Sequence, residues 1–181
     1  NRTEGVELEA RWVVNENLVL TAGYTNIEVV NLNTLDNAGR FSFFGADDVP
    51  QIDPTTIFGG QLIGIVFAPQ PGEAGARRAG MPENIYSFTG TYSFDNGVAV
   101  NASVVNVDSV FSGFSQAVEL PSYTLVNLGL IYETDNWQFA LTGKNITDEQ
   151  YFRANFPNLF GSQIVLPELP RHYQASVSFS F

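Results

Sequence analysis

The sequence predicts an all-β protein, and more specifically an antiparallel transmembrane β-barrel segment of about seven strands from a larger barrel. Three observations favour this fold. Apolar and polar residues alternate with a period of two along much of the chain, which gives a strand two chemically different faces. Tight polar turns alternate with long connections, and aromatic residues lie beside the tight turns.

The period-two alternation occurs in seven segments, each of which we interpret as a strand. In the last segment every odd position from Tyr173 to Phe181 is aromatic or apolar, and every even position is Gln or Ser. The chain contains no convincing helical pattern. In chain order the predicted strands are 5–12, 18–24, 86–94, 98–107, 124–133, 137–145 and 173–181.

The connections between these strands alternate in length. Segments 13–17, 95–97 and 134–136 are short and rich in Asn, Asp and Gly, which suits tight hairpin turns. Segments 31–82, 111–122 and 146–170 are far longer than ordinary hairpin loops. Outer-membrane barrels have this layout, with short periplasmic turns and long extracellular loops, so 31–82 is predicted to be a long extracellular loop. A soluble β-sandwich also tolerates uneven loops and stays an alternative.

Aromatic residues cluster at the ends of the predicted strands. One set lies beside the tight turns and a second lies toward the opposite end, as expected for the two girdles at the surfaces of a membrane. The alternative is that these rings form the core of a sandwich. The first set contains Trp12, Phe94, Tyr132 and Trp137, with Phe181 at the same edge, and the second contains Tyr24, Tyr86 and Tyr173.

Composition excludes several classes of function. The net charge of −11 argues against binding to nucleic acid, which requires a cationic surface. The charged fraction, 15%, is low for a soluble domain, yet no apolar run is long enough for a membrane-spanning helix. There is no cysteine, and the single histidine, His172, has no nucleophile pattern near it. We therefore predict no catalytic residue, no metal site and no cofactor.

An odd number of strands has a structural consequence. Single-chain bacterial barrels contain an even number of strands, and an open sheet in lipid leaves unpaired backbone groups at its edges. Seven strands therefore predict further strands upstream, so that residues 1–181 form the C-terminal part of a larger barrel.

Several short motifs resemble the C-terminal barrel region of TonB-dependent outer-membrane receptors. Residues 145–151 (NITDEQY) resemble the family's Asn-Leu-Thr-Asp-x-x-Tyr motif, and residues 5–9 (GVELE) resemble its Gly-x-Glu-x-Glu strand. Residues 170–181 resemble its closing strand, and residues 122–127 (SYTLVN) add a further match. The resemblance implies a barrel of 22 strands with a plugged lumen in the bacterial outer membrane.

The same resemblance implies the function and partners. The expected function is TonB-energised uptake of a large scarce solute, most commonly a ferric siderophore. The expected partners are outer-membrane lipid, the TonB energy-coupling complex through a plug and TonB box that do not occur in these residues, and the barrel-assembly machinery, which would recognise the terminal Phe181. An ordinary strand terminus is the alternative for Phe181. A passive channel is the alternative for the whole protein.

Residues that touch a substrate are expected in the long connections, where aromatic side chains accompany arginines that could hold a ferric chelate by stacking and charge. The alternative is that the aromatic residues form the loops' own small cores and the arginines are solvated. The apolar run 57–68 has three interpretations: a hairpin above the membrane, a loop folded into the barrel mouth, or a partner surface. The candidates are Phe43, Phe44, Phe58, Arg77, Arg78, Tyr151, Arg153 and Phe156.

The first predicted strand carries three charged residues on the face opposite its apolar residues. Glu7, Glu9 and Arg11 are expected to face the lumen, where charged groups need water or partners. We interpret them as hydrogen-bonding partners of a plug, in preference to direct contacts with a transported solute.

Overall fold

The computed structural model describes residues 2–30, 41–43, 65–67, 77–78, 80–112, 118–154 and 165–181. The regular structure within these ranges is β-strand. In chain order the strands are β1 (Arg2–Val13), β2 (Leu18–Val30), β3 (Phe41–Phe43), β4 (Ile65–Phe67), β5 (Asn84–Ser93), β6 (Val98–Val107), β7 (Val110–Ser112), β8 (Val118–Leu120), β9 (Tyr123–Glu133), β10 (Trp137–Lys144), β11 (Phe152–Ala154), β12 (Val165–Pro167) and β13 (His172–Phe179).

Seven long strands form one antiparallel sheet in the order β1-β2-β5-β6-β9-β10-β13. The seven predicted strands are confirmed, although β1 and β2 extend further from the tight turn than predicted, to Arg2 and Val30. The three long connections each contain a separate two-stranded hairpin: β3–β4, β7–β8 and β11–β12. Within the described ranges the seven long strands form one sheet, and no second large sheet packs against it as in a sandwich.

The pairing register places the apolar residues of all seven strands on one face. For example, Leu8 lies opposite Tyr24, which lies opposite Tyr86 on the next strand. Because side chains alternate along a strand, a constant phase across the pairs makes this face continuous. Most of the exposed large hydrophobic residues lie on it. The apolar face comprises Val6, Leu8, Ala10, Trp12, Leu18, Leu20, Ala22, Tyr24, Tyr86, Phe88, Tyr92, Phe94, Val98, Val100, Ala102, Val104, Val126, Leu128, Leu130, Tyr132, Trp137, Phe139, Leu141, Tyr173, Ala175, Val177 and Phe179.

Successive tight turns are staggered by two residues. The first turn ends at Leu18, which lies opposite Tyr92 on β5. The second turn begins two residues further along the chain, at Phe94. The second turn ends at Val98, which lies opposite Tyr132 on β9. The third turn begins two residues further along the chain, at Thr134. One residue of stagger per strand corresponds to a strand tilt of about 35°, the value expected for a closed barrel.

The polarity of the apolar face changes at a boundary that follows the same tilt. Beyond Val6, Tyr24, Tyr86, Val104 and Val126, this face carries Glu4, Asn26, Asn84, Asn106 and Thr124. Val6 on β1 lies opposite Asn26 on β2, and Tyr86 on β5 lies opposite Asn106 on β6. In both the β1–β2 and the β5–β6 pair, the boundary on the second strand is therefore two residues nearer the tight turns. The turns themselves shift in this same direction from one hairpin to the next. The apolar band between boundary and turn therefore keeps one height.

That height matches a membrane. The band runs over residues 6–14, 86–94 and 126–134, which belong to β1, β5 and β9 and to the one residue that follows each of these strands. At about 3.3 Å per residue each stretch is about 26 Å long, which a tilt of about 35° reduces to about 22 Å. Outer-membrane barrels carry an apolar band of about 25 Å. Within the described ranges, no helix has both the length and the apolar character to cross a membrane.

Candidate functional site

The polar face of the sheet carries the three charged side chains of β1. Glu7, Glu9 and Arg11 are exposed on this face, and none of them forms an ion pair or side-chain hydrogen bond with another described residue. A groove of about 340 Å³ lies beside the two glutamates, over Gly23. Gly23 lines this groove, and a Cβ atom at this position would come within 2.6 Å of Ser87 Oγ, so a larger residue would force Ser87 to move. Thr21, Thr25 and Ser87 add hydroxyl groups to its lining.

On β5, β6 and β9 the polar face carries hydrogen-bonded amide and hydroxyl groups. Asn101 Nδ2 donates to Thr91 Oγ1 at 2.8 Å across β5 and β6. Asn127 Nδ2 donates to Ser103 Oγ at 3.2 Å across β6 and β9. This part of the face therefore offers amide and hydroxyl groups held in place by their neighbours.

Away from the tight turns the same face becomes apolar. Ile27, Ile85, Val105, Val107 and Leu125 occupy the positions at this level. The hydrophobic side chains that are buried in the described part of the chain, Val29, Val30 and Leu120, also lie at this end. The sequence contains the signal for this inversion, since the alternation changes phase after Tyr24, before Tyr86 and after Val104.

Tyr151 and Arg153, two predicted substrate-binding residues, belong to one cluster at the end of the sheet away from the tight turns. The rings of Tyr123 and Tyr151 lie 4.6 Å apart. Arg153 Nε lies 2.9 Å from Glu168 Oε1, and 70% of the Arg153 side chain remains exposed. Burial raises the pKa of Tyr151, with a further increase from the charge of Glu168 and a smaller opposing effect of Arg153. The phenol is therefore neutral at physiological pH and can donate a hydrogen bond.

Arg77, another predicted substrate-binding residue, makes contacts within the chain. Its Nε lies 2.8 Å from Glu83 Oε1, and its guanidinium carbon lies 5.3 Å from the centre of the Phe111 ring. Its backbone forms an isolated bridge with Val30. Arg77 therefore fastens the end of segment 31–82 to the sheet and to β7, and this contact is structural whatever else the residue binds.

The remaining predicted loop residues are less informative. The backbone N–H of Arg78 donates to the carbonyl of Val29 at 2.7 Å, and Phe43 is the last residue of β3. Phe44, Phe58 and Phe156 lie outside the described residues, as does most of the apolar run 57–68.

The predicted aromatic residues near the tight turns form a connected surface. Trp137 contacts Phe179 with ring centres 4.6 Å apart, and Phe139 lies 6.0 Å from Trp137 and 6.3 Å from Tyr132. At the other end the rings of Tyr24 and Tyr86 stack at 4.9 Å. Phe139 and Phe179, which the sequence analysis did not name, also belong to this surface and continue the apolar phase of their strands. Phe181 is fully exposed, with its ring centre 6.2 Å from that of Phe179.

The 145–151 motif has a clear structural role. Asn145 is only 3% exposed and has a positive φ of 51°. Its side-chain amide donates to the carbonyls of Glu149 and Leu169 and accepts from the Glu149 N–H. Asp148 Oδ1 accepts from the backbone N–H of Arg171, and Arg171 donates to the carbonyl of Ile146. The motif thus ties the end of β10 to the start of β13, across the base of the β11–β12 hairpin.

The described residues contain no group of three or more His, Cys, Asp or Glu side chains that could hold a metal ion. The candidate sites are therefore two surfaces: the polar face with its glutamate groove, and the cluster around Tyr151 and Arg153.

Solved structures of three receptors or transporters share the fold of this chain. The siderophore receptor PiuA from Acinetobacter baumannii aligns with a TM-score of 0.70 and 17% identity, over 98% of this chain and 21% of that one. The ferric yersiniabactin uptake receptor FyuA from Yersinia pestis aligns with a TM-score of 0.68 and 14% identity, over 99% and 23%. The ferric citrate transporter FecA gives 0.68 and 15%, over 97% and 24%. The chain thus spans about a fifth of the length of these proteins.

Sequence comparison assigns the family. No curated protein sequence matched the chain. A family model described as "TonB dependent receptor-like, beta-barrel" matches residues 1–146, well over half of the chain. This match agrees with the single tilted sheet and its apolar band, and with the three structures above, which are described as two receptors and a transporter. The chain therefore belongs to the family of TonB-dependent receptor β-barrels of the bacterial outer membrane.

Proposed function

We propose that this chain is the C-terminal part of a receptor that takes up a ferric siderophore across the outer membrane with energy supplied through TonB. The family match over residues 1–146 is the observation that carries the proposal. It is supported by similarity in fold to proteins described as a siderophore receptor and a ferric yersiniabactin uptake receptor.

In this proposal the two faces of the sheet have different environments. The apolar face contacts lipid, because a tilted band about 22 Å high fits the hydrocarbon layer. The polar face lines the lumen, and the tight turns lie in the periplasm. The aromatic residues at both ends of the band form the girdles, and Phe181 lies at the periplasmic edge, where the assembly machinery would recognise it.

Glu7 and Glu9 then face a plug domain that is encoded outside these residues. Two carboxylates without a described partner, beside an open groove, suit hydrogen bonds and ion pairs with donors on such a domain. Glu7→Gln combined with Glu9→Gln should loosen the plug of the full-length receptor and raise its ion conductance in planar bilayers. Glu16→Gln in the first tight turn is the matched control, since its carboxylate lies away from the groove.

The Tyr151 and Arg153 cluster is the part of the described chain that best suits a solute contact. A neutral phenol and an exposed guanidinium can stack on and hydrogen-bond an anionic chelate. Arg153→Ala should weaken binding of a ferric siderophore by the full-length receptor. Arg2→Ala is the control for loss of an arginine elsewhere, because Arg2 pairs with Glu4 and Glu28 at the far edge of the sheet.

Uptake of radioactive ferric siderophores by cells that express the full-length receptor tests the proposal directly. Uptake should require TonB and stop when the proton-motive force is dissipated. Uptake that continues without TonB and without the proton-motive force would show that the protein is a passive channel and not an energised receptor. Failure to transport any of a panel of ferric siderophores, with energised uptake of another solute, would reject the siderophore assignment alone.

A further inference from the structure

We propose that Asn127, on the polar face of β9, is a positioning residue that holds the β11–β12 hairpin in the orientation needed for solute contact. The inference rests on the proposed solute contact at Tyr151 and Arg153 and deepens it, because that hairpin carries Arg153 and begins directly after Tyr151. It gives a residue of the sheet below the hairpin a part in solute affinity, without a contact between Asn127 and the solute.

Asn127 lies at the point where the chain leaves the sheet. The residues of β10 that pair with β9 end at Gly143. Two residues later, the backbone N–H of Asn145 donates to the side-chain Oδ1 of Asn127 at 3.0 Å. The next N–H, that of Ile146, donates to the carbonyl of Val126 at 2.8 Å. The amide of Asn127 thus takes the place of a main-chain acceptor for the first residue after β10.

The side chain of Asn127 is held from its other end as well. Its Nδ2 donates to Ser103 Oγ at 3.2 Å, on the neighbouring strand β6. Because the Asn145 N–H requires an acceptor, the amide oxygen faces Asn145 and the amide nitrogen faces Ser103. The half-buried amide therefore has one orientation, fixed by two bonds to different strands or connections.

Asn145 transmits this position to the base of the hairpin. It is buried, so that its N–H has no water to replace Asn127 as a partner. Its φ of 51° lies in the left-handed region, which a residue other than glycine keeps only where its surroundings hold it. Its side chain bonds the N–H and carbonyl of Glu149 on one side of the hairpin and the carbonyl of Leu169 on the other.

The proposed solute contacts lie immediately beyond these bonds. Tyr151 is on one side of the hairpin base and Glu168 on the other, and the Glu168 N–H donates to the Tyr151 carbonyl at 3.1 Å. The carboxylate of Glu168 also pairs with Arg153 at 2.9 Å. Tyr151 and Glu168 are one or two residues from the groups that Asn145 bonds. A shift of Asn145 therefore moves both sides of the cluster.

Hydrogen exchange of the full-length receptor in lipid vesicles, without solute, tests the hold on the hairpin. Asn127→Leu removes the acceptor at nearly the same side-chain volume. The control, Asn101→Leu, removes an amide on the same face of β6 that donates to Thr91 Oγ1 at 2.8 Å. Amides of β11 and β12 should exchange about tenfold faster in Asn127→Leu, the factor expected when a buried group loses one hydrogen bond. The control should leave their exchange unchanged.

Asn127→Asp is the rescue variant. A carboxylate oxygen keeps the acceptor for the Asn145 N–H, and the Ser103 hydroxyl can rotate to donate to the other oxygen. Exchange in β11 and β12 should return to nearly the wild-type rate. Exchange as fast as in Asn127→Leu would show that the acceptor does not hold the hairpin and would overturn the inference. If gel migration shows that Asn127→Leu does not fold, Asn127→Ala takes its place, because it removes the same acceptor without adding bulk.

Solute affinity tests the consequence of this hold. The probe is the ferric siderophore that cells expressing the wild-type receptor take up fastest, and its dissociation constant should rise about tenfold in Asn127→Leu. In a receptor that already carries Arg153→Ala, the same change should add about threefold or less, because both changes act on one contact. A merely structural role would leave the two effects additive, and a full tenfold effect in the Arg153→Ala receptor overturns the positioning role.

Together the two measurements separate this inference from the proposed function. If Arg153→Ala binds the siderophore as tightly as the wild type while exchange responds to Asn127→Leu, the proposed solute contact fails and the hold of Asn127 on the hairpin stands. If Arg153→Ala weakens binding and Asn127→Leu leaves the affinity unchanged, only the inference fails.

Discussion

A charge placed in the centre of the apolar band should destabilise the barrel far more than the same charge one residue away. Leu141 is on the apolar face of β10, is 48% exposed and lies between Leu130 and Ala175 on the neighbouring strands. Thr142 points to the opposite face, opposite Gly129, where an arginine has room. The pair Leu141→Arg and Thr142→Arg therefore changes the same strand at the same depth but on opposite faces.

The structure sets the expected size of the difference. Leu141 lies four residues from Trp137 at the turn end of β10. With about 3.3 Å per residue and a tilt of about 35°, this places it about 11 Å into a band about 22 Å high, near the centre. An arginine facing lipid at the midplane costs about 2–4 kcal/mol, which lowers the folding equilibrium constant by about 30-fold to 1,000-fold. Thr142→Arg should cost less than about 1 kcal/mol.

Urea titration of the full-length receptor in lipid vesicles measures these costs, with gel migration as the readout of the folded fraction. Val177 faces the same way as Leu141 but lies nearer the tight turns, so Val177→Arg should cost less than Leu141→Arg and more than Ser178→Arg. Equal losses for Leu141→Arg and Thr142→Arg would show that the apolar face does not meet lipid.

Three further predictions concern the connections. Asn145→Ala removes a buried amide that bonds three backbone groups and should destabilise the 145–171 segment by about 2–4 kcal/mol, seen as faster hydrogen exchange there, whereas Asn136→Ala in an exposed turn should not. Gly97→Ala should slow refolding and lower stability by about 1 kcal/mol or more, because φ is +82° and the new Cβ would meet the Glu133 carbonyl oxygen. Arg77→Ala should increase proteolysis within 31–82, and an unchanged cleavage rate would contradict its fastening role.

The sheet could be predicted from the sequence because the same pattern, period-two alternation followed by a tight turn or a long connection, recurs along the chain. Strands such as β13 alternate over their whole length, and the Asn, Asp and Gly residues of the tight turns separate them. The polarity boundary was also present in the sequence, as a change of phase between Tyr24 and Asn26. Its meaning depends on the register, which the sequence does not give and which aligns the change of phase on neighbouring strands into one line.

The remaining features depend on contacts between distant residues. Strands of three residues, such as β7 and β11, are too short for a period to be recognised. The interactions of Arg77 with Val30 and Phe111 join three separate parts of the chain, so the residue type alone could not distinguish a structural arginine from one that binds a solute. The role of Asn145 likewise requires the backbone of residues up to Leu169.

The two-residue stagger of the tight turns makes the hairpin a repeatable unit of the barrel wall. A pair of strands inserted or deleted together with its offset leaves every other residue at its original depth and on its original face. A change of one residue in the offset exchanges the two faces of every strand that follows, and a change of one strand reverses the direction of those strands and so exchanges their two ends. Barrels of this kind should therefore diverge in circumference by whole hairpins, with the loops free to vary in length.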